Sequence, residues 1–156
     1  MQEMFGFEGD AYELGKERVQ IMKDLLKTDL KFIPGFLEFY NSVKDKYKIC
    51  VATAMDKELL EIADRNLNLF DKFNGNVFSV ADVNGVGKPE PDLFLHAAEQ
   101  MKVVPENCIV IEDAPNGIQA SKSAGIKCIG LATTYSKEKL GQADQIVNSF
   151  EEIDFN

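Results

Sequence analysis

Short apolar runs that alternate with amphipathic helical stretches predict an α/β fold built on a mostly parallel sheet. Three observations carry the prediction. Five runs, 49–52, 77–80, 108–111, 127–131 and 145–147, have strand length. The first, third and fourth are apolar at nearly consecutive positions, as strands covered on both faces are. The stretches between the runs carry helical periodicity, which provides the crossovers that parallel neighbours need.

The elements follow in order. Residues 10–27 form an amphipathic helix, with Ala11, Leu14, Ile21, Met22 and Leu25 on one face about 100° wide and Glu13, Lys16, Lys23 and Lys27 opposite. Ile33-Pro34-Gly35 opens a second helix, with proline near its first turn, that buries Phe36, Leu37, Tyr40 and Val43. Asp56 is the expected N-cap of a helix over 57–66. A helix over 91–101 places Leu93, Phe94, Ala97, Ala98 and Met101 on one side.

Composition narrows the function classes. A chain of 156 residues, 45% of them hydrophobic, can bury a core without a disulfide or structural metal. Seventeen Lys and Arg against 26 Asp and Glu leave a net charge of -9, with no basic stripe, which argues against nucleic acid and anionic membrane as partners. The N-terminus has no cationic start or apolar leader, and no apolar run approaches the roughly 20 residues that span a bilayer. The expected location is the cytoplasm. Cys50, Cys108 and Cys128 sit in apolar runs without metal or redox spacing and read as buried reduced thiols.

In open parallel sheets ligands bind beyond the carboxyl ends of the strands, so the residues after each run are the informative ones. Thr53 follows the first run, Lys88 lies in the Asn84-Gly85-Val86-Gly87-Lys88-Pro89 loop after the second, and Glu112 and Asp113 follow the third. A hydroxyl, an ammonium and two carboxylates on one rim suit a phosphate and a hard cation. Each also has an ordinary explanation: a strand-end hydroxyl bonded to local backbone, a solvated loop lysine, a turn before the Pro115-Asn116-Gly117 helix start. Other chemistries fail on inventory. Gly87-Lys88 is followed by Pro89 rather than Ser or Thr, so there is no phosphate loop of the Walker type. Gly-x-Gly-x-x-Gly and Gly-x-Ser-x-Gly are absent, and the single histidine, His96, lies inside the 91–101 helix, at its surface or boundary.

With those residues in view, the sequence resembles the haloacid dehalogenase-like hydrolase superfamily, in the branch of β-phosphoglucomutase and small phosphatases with a helical cap. Ile49-Cys50-Val51-Ala52-Thr53-Ala54 is similar to its second motif, Gly87-Lys88-Pro89-Glu90-Pro91-Asp92-Leu93-Phe94 to its third, and Ile111-Glu112-Asp113-Ala114-Pro115-Asn116-Gly117-Ile118 to its fourth. The resemblance implies a three-layer Rossmann-like core over 31–156, preceded over 1–30 by a residual helical cap segment. It implies Mg²⁺-dependent phosphoryl transfer on a small phosphorylated metabolite such as a sugar phosphate. Thr53 and the amides of Ala54 and Met55 would bind the phosphoryl group, and Lys88 would offset its charge. Asp113 would coordinate Mg²⁺, and Glu112 would assist through a metal-bound water. The carboxylate pair counts against carbon–halogen cleavage, which has no use for a cation.

The sequence departs from the family in one respect. The family's first motif, Asp-x-Asp at the end of its first strand, supplies the nucleophile and the acid–base carboxylate, and no Asp-x-Asp occurs in these 156 residues. The resemblance therefore implies a chain that starts within the cap region, without the family's central first strand. The expected consequence is a gap or two unpaired edges in the sheet, filled by another segment or by self-association. The competing expectation is a non-catalytic protein that binds phosphate or a partner with the surviving rim.

Overall fold

A computed structural model describes residues 10–28 and 30–155. Residues 1–9 of the expected cap segment, Asp29, Asn156 and the side chains of Ala11 and Tyr12 lie outside the described residues. Helix α1 (Ala11–Thr28) packs against α3 (Lys57–Leu67). Leu26 is buried and Val19 and Met22 are half-buried, whereas Ile21 and Leu25 are 60% and 64% exposed. The buried face is thus turned by about one residue from the expected one. The sequence carries a second apolar stripe at Val19, Met22 and Leu26, and that stripe meets α3.

Helix α2 (Phe36–Val43) begins after Gly35, whose φ of 81° is a left-handed conformation that glycine adopts without steric cost. Val43 is buried and Phe36 and Tyr40 are half-buried. Leu37 is exposed, contrary to expectation, because Phe39 takes the inward position, its ring 5.3 Å from that of Phe150. Asp56 caps α3 by accepting the Leu59 N–H at 2.9 Å. A left-handed Asn68 then separates α3 from the short helix α4 (Leu69–Lys72). Helix α5 (Asp92–Gln100) buries Leu93, Phe94, Ala97 and Ala98 as its periodicity requires, and α6 (Pro115–Ser123) starts on its proline.

All strand pairings are parallel, but the sheet comes in two pieces. β1 (Val51–Thr53) pairs with β2 (Val77–Ser79), and β3 (Ile109–Glu112), β4 (Lys127–Leu131) and β5 (Gln145–Val147) pair in that order. Among the described residues no strand pairs with the other edge of β1 or of β3. Three strands differ from expectation in their bounds. β1 starts two residues late because its ladder opens where Val51 meets Val77, so Thr53 ends the strand rather than following it. β3 runs one residue further than its apolar run, to Glu112. β2 stops at Ser79 because Ser79 and Asp82 form a capping box on the 3₁₀ turn Val80–Val83.

Helices cover both faces. Leu60, Ala63 and Phe73 of the α3–α4 region join Phe36 and Tyr40 of α2 over Val51 and Val77, while Phe94 of α5 and Ala120 of α6 pack with Ala52 and Val110 on the other side. Phe36 also packs on the cluster around Ile129, Leu131, Val147 and Phe150. The two sheet pieces are therefore held in one body by helices on each face, not by a shared ladder. No helix among the described residues is long and apolar enough to cross a membrane.

The three thiols are free. Cys128 is buried, but Cys50 and Cys108 are only half-buried because they precede β1 and β3 rather than lying inside them. Burial pushes the Cys50 and Cys128 thiols up to about 11.

Asp144 fastens the start of β5 to its neighbours. Its carboxylate accepts the Cys128 N–H at 2.8 Å and the Lys122 ammonium at 2.6 Å. The Lys122 bond first, and the Cys128 bond next, hold its pKa below the ordinary carboxylate value. A carboxylate lowered in the folded state contributes stability above its unfolded pKa, near about 3.9, and loses it as pH falls through the lower folded value. Asp144→Asn is expected to show a shallower loss of stability than the wild type below about pH 4 in urea melts; equal slopes would refute this.

Candidate active site

β1 and β3 deliver their last residues to one rim. Thr53 ends β1, and its hydroxyl oxygen accepts the Met55 N–H at 3.2 Å. Of the two amides expected to hold phosphate, that of Met55 is therefore turned onto Thr53, whose own O–H remains able to donate. The plain local role of a strand-end threonine and a ligand role coexist in this turn.

Lys88 reaches the rim from the loop after β2, where left-handed Asn84 and Gly85 reverse the chain. Its side chain is 11% exposed. Its ammonium donates to the Ala52 carbonyl at 3.3 Å, forms an ion pair with Glu112 Oε1, and lies 4.8 Å from the Phe94 ring centroid. Lys88 thus ties the residue before Thr53 to the residue before Asp113, across the break in the sheet. It is a largely shielded, partnered cation and not a solvated loop lysine.

Glu112 is 9% exposed. Beyond Lys88, its Oε2 accepts the N–H groups of Asp113 and Ala114 at 3.2 and 3.3 Å. It fits in this position because residue 117 is glycine: a Cβ there would overlap the Glu112 carboxylate. Both Glu112 oxygens are engaged by the protein, so the geometry makes it the anchor of Lys88 and of the turn into α6.

Asp113 is half-buried beside it, and its Oδ2 accepts the Thr134 hydroxyl at 2.5 Å. No group among the described residues bonds Oδ1. Mg²⁺ is commonly held by one or two carboxylates together with phosphate and water oxygens. Asp113 fits as one such ligand. Among the described residues no cluster of three or more His, Cys, Asp or Glu side chains could hold a metal by itself.

Two partners were not expected from the sequence: Gly117, which makes room for Glu112, and Thr134, which bonds Asp113. The signal for Thr134 is the one that marks Thr53. Both follow an apolar run whose carboxyl end faces the rim. His96, as expected, stays out of the site, half-buried with its ring edge-on to Phe78 at 5.5 Å. Two shallow surface hollows lie between α2 and the C-terminal segment, lined by Phe39 and Ile153 among others, and share no residue with the rim. The case for the rim rests on convergent polar groups.

Comparison with known proteins finds relatives over most of the chain. The family model for haloacid dehalogenase-like hydrolases matches residues 5–125. The chain is 33% identical over 122 residues to validoxylamine A 7'-phosphate phosphatase of Streptomyces hygroscopicus subsp. limoneus, covering 78% of this chain and 56% of that protein. It is 38% identical over 116 residues to a phosphorylated carbohydrates phosphatase of Thermotoga maritima, covering 73% of this chain and 50% of that protein. Among solved structures, β-phosphoglucomutase of Clostridium difficile superposes with a TM-score of 0.76 at 27% identity, over 97% of this chain and 66% of that one. The chain spans about half the length of these two curated relatives.

Proposed function

Because the chain belongs to the haloacid dehalogenase-like hydrolases, we propose that it forms the phosphoryl-binding and cation-binding part of a Mg²⁺-dependent phosphomonoester phosphatase or sugar-phosphate mutase. The observation that carries this reading is Lys88, largely shielded from solvent and bridging the carboxyl ends of β1 and β3. An ammonium held there offsets the charge of a phosphoryl group bound between those ends. The Thr53 hydroxyl and the Ala54 amide bind its oxygens, while the Met55 amide, bonded to the Thr53 oxygen, orients that hydroxyl. The Asp113 carboxylate takes one position of the cation, and the cation supplies further charge neutralisation for phosphoryl transfer. Glu112 fixes Lys88 rather than reaching the cation itself. The substrate class is a small phosphorylated metabolite, by analogy with the phosphatases named above.

The attacking carboxylate is assigned to an added strand. The 156 residues contain no Asp-x-Asp, and the unpaired edges of β1 and β3 flank the position from which such a strand would deliver one. Titration calorimetry with inorganic phosphate and Mg²⁺ tests the binding half of the reading. A hydrogen bond to a charged group is worth about 1.5–3 kcal/mol, so Thr53→Val is expected to weaken phosphate binding by about 10- to 100-fold. Asp113→Asn is expected to remove the Mg²⁺ dependence of that binding. Phosphate binding unchanged in both variants would overturn the proposal.

A second reading, a protein that binds phosphate or a partner without catalysis, is favoured by the same missing motif. Phosphate binding without turnover, even after a strand bearing Asp-x-Asp is supplied, would support it.

A further inference from the structure

Thr134 lies on the loop after β4 and is exposed, yet its hydroxyl is spent on Asp113. The sheet explains how they meet. β4 is the parallel neighbour of β3, with Glu112 opposite Gly130, so the chain leaves both strands at the same rim. The base of the loop is fixed by backbone bonds: the Ala132 N–H donates to the Val147 carbonyl and the Thr133 N–H to the Leu131 carbonyl, each at 2.8 Å. Threonine adds stiffness of its own, since a β-branched side chain has few χ1 choices.

We propose that Thr134 is a positioning residue for Asp113. The inference rests on the reading of Asp113 as a cation ligand given above. A half-buried aspartate can still rotate about Cβ–Cγ and offer either oxygen, or both, to a cation. A hydroxyl bound to Oδ2 removes that freedom. It sets the carboxylate plane and leaves Oδ1 without a bonded partner among the described residues. Thr134 touches neither phosphate nor cation; it acts through Asp113, as groups that orient metal ligands commonly do.

Binding of Mn²⁺ as a stand-in for Mg²⁺, followed by the electron paramagnetic resonance of the free ion with inorganic phosphate present, tests this without an activity assay. Removal of a group that orients a metal ligand commonly costs about 10- to 100-fold in affinity, and Thr134→Val is expected to fall in that range. Thr134→Ser, which keeps the hydroxyl, should restore wild-type affinity. A merely structural role would lower the melting temperature in Thr134→Val and leave Mn²⁺ affinity alone, and that result overturns the proposal. Equal weakening in Thr134→Val and Thr134→Ser overturns it too, because the hydroxyl would then be irrelevant. Asp113→Asn separates the two layers of argument. If it binds Mn²⁺ as the wild type does, or if the wild type binds none, the reading of Asp113 as a ligand fails. If it abolishes binding while Thr134→Val binds normally, only the role of Thr134 fails.

Discussion

Lys88→Met is expected to destabilise the fold by about 3–5 kcal/mol, the usual loss when one partner of a buried ion pair is removed. The pair qualifies because the Lys88 and Glu112 side chains are 11% and 9% exposed. Methionine keeps an apolar stem and removes the ammonium, its bonds and its place over the Phe94 ring, so the loss reports the charge rather than a cavity. The lower end of the range is the better expectation. Glu112 keeps the amides of Asp113 and Ala114 on Oε2, so its charge is not left wholly unpartnered. The double variant Lys88→Met with Glu112→Gln should recover part of the loss, since it removes the orphaned charge as well. Urea unfolding of the single and double variants measures both effects. A single-variant loss under about 1 kcal/mol, the scale of exposed pairs, would mean that solvent screens Lys88 and that it does not hold β1 to β3.

How much of this was legible in the sequence depends on how many neighbours each element needs to decide its placement. Helix α5 was readable because Leu93, Phe94, Ala97 and Ala98 form a single apolar stripe, and those four are buried. Helix α1 was not, because its sequence offers two stripes, and only the partner α3 selects Leu26 over Leu25. The start of β1 was missed for a related reason. Ile49 and Cys50 are as apolar as Val51, but the ladder begins where Val77 stands opposite, and register belongs to the pair rather than to either strand. Helix α4 has four residues, too few to show a period. At the rim, the positions of Thr53, Lys88, Glu112 and Asp113 followed from the run-then-polar-residue pattern. Their partners did not. That Met55 turns onto Thr53, or that Glu112 faces Lys88, depends on side-chain directions set only when the strands are side by side.

A parallel strand bearing Asp-x-Asp, supplied between β1 and β3, is expected to confer phosphatase activity on the chain. The three residues of β1 and the four of β3 each present one edge with no strand partner among the described residues. An edge of this kind is a ready template for pairing. The flanking residues are consistent with an incomplete ladder: Val51, Ala52, Val110 and Ile111 are only half-buried, although helices lie over both faces. A segment of about five residues, an ordinary strand length, would pair on both sides. If it ends in Asp-x-Asp, it brings its carboxylates to the end of the sheet where Thr53, Lys88 and Asp113 stand.

The segment can be supplied in cis ahead of Met1 or in trans as a peptide. Hydrolysis of an aryl phosphate with Mg²⁺ should then rise by about 10⁶-fold over the chain alone, by analogy with the loss seen when a covalent nucleophile is removed. Replacing the first aspartate of the supplied motif by asparagine should abolish the gain. Hydrogen exchange gives an independent reading: the amides of 51–53 and 109–112 should become protected even with the asparagine version, because pairing needs backbone and not the nucleophile. Protection without turnover would leave the strand in place and refute the enzyme. Turnover by the chain alone, at a rate matching the completed protein, would refute the assignment of the nucleophile to an added strand, since an attacking group would then have to lie among the residues already present.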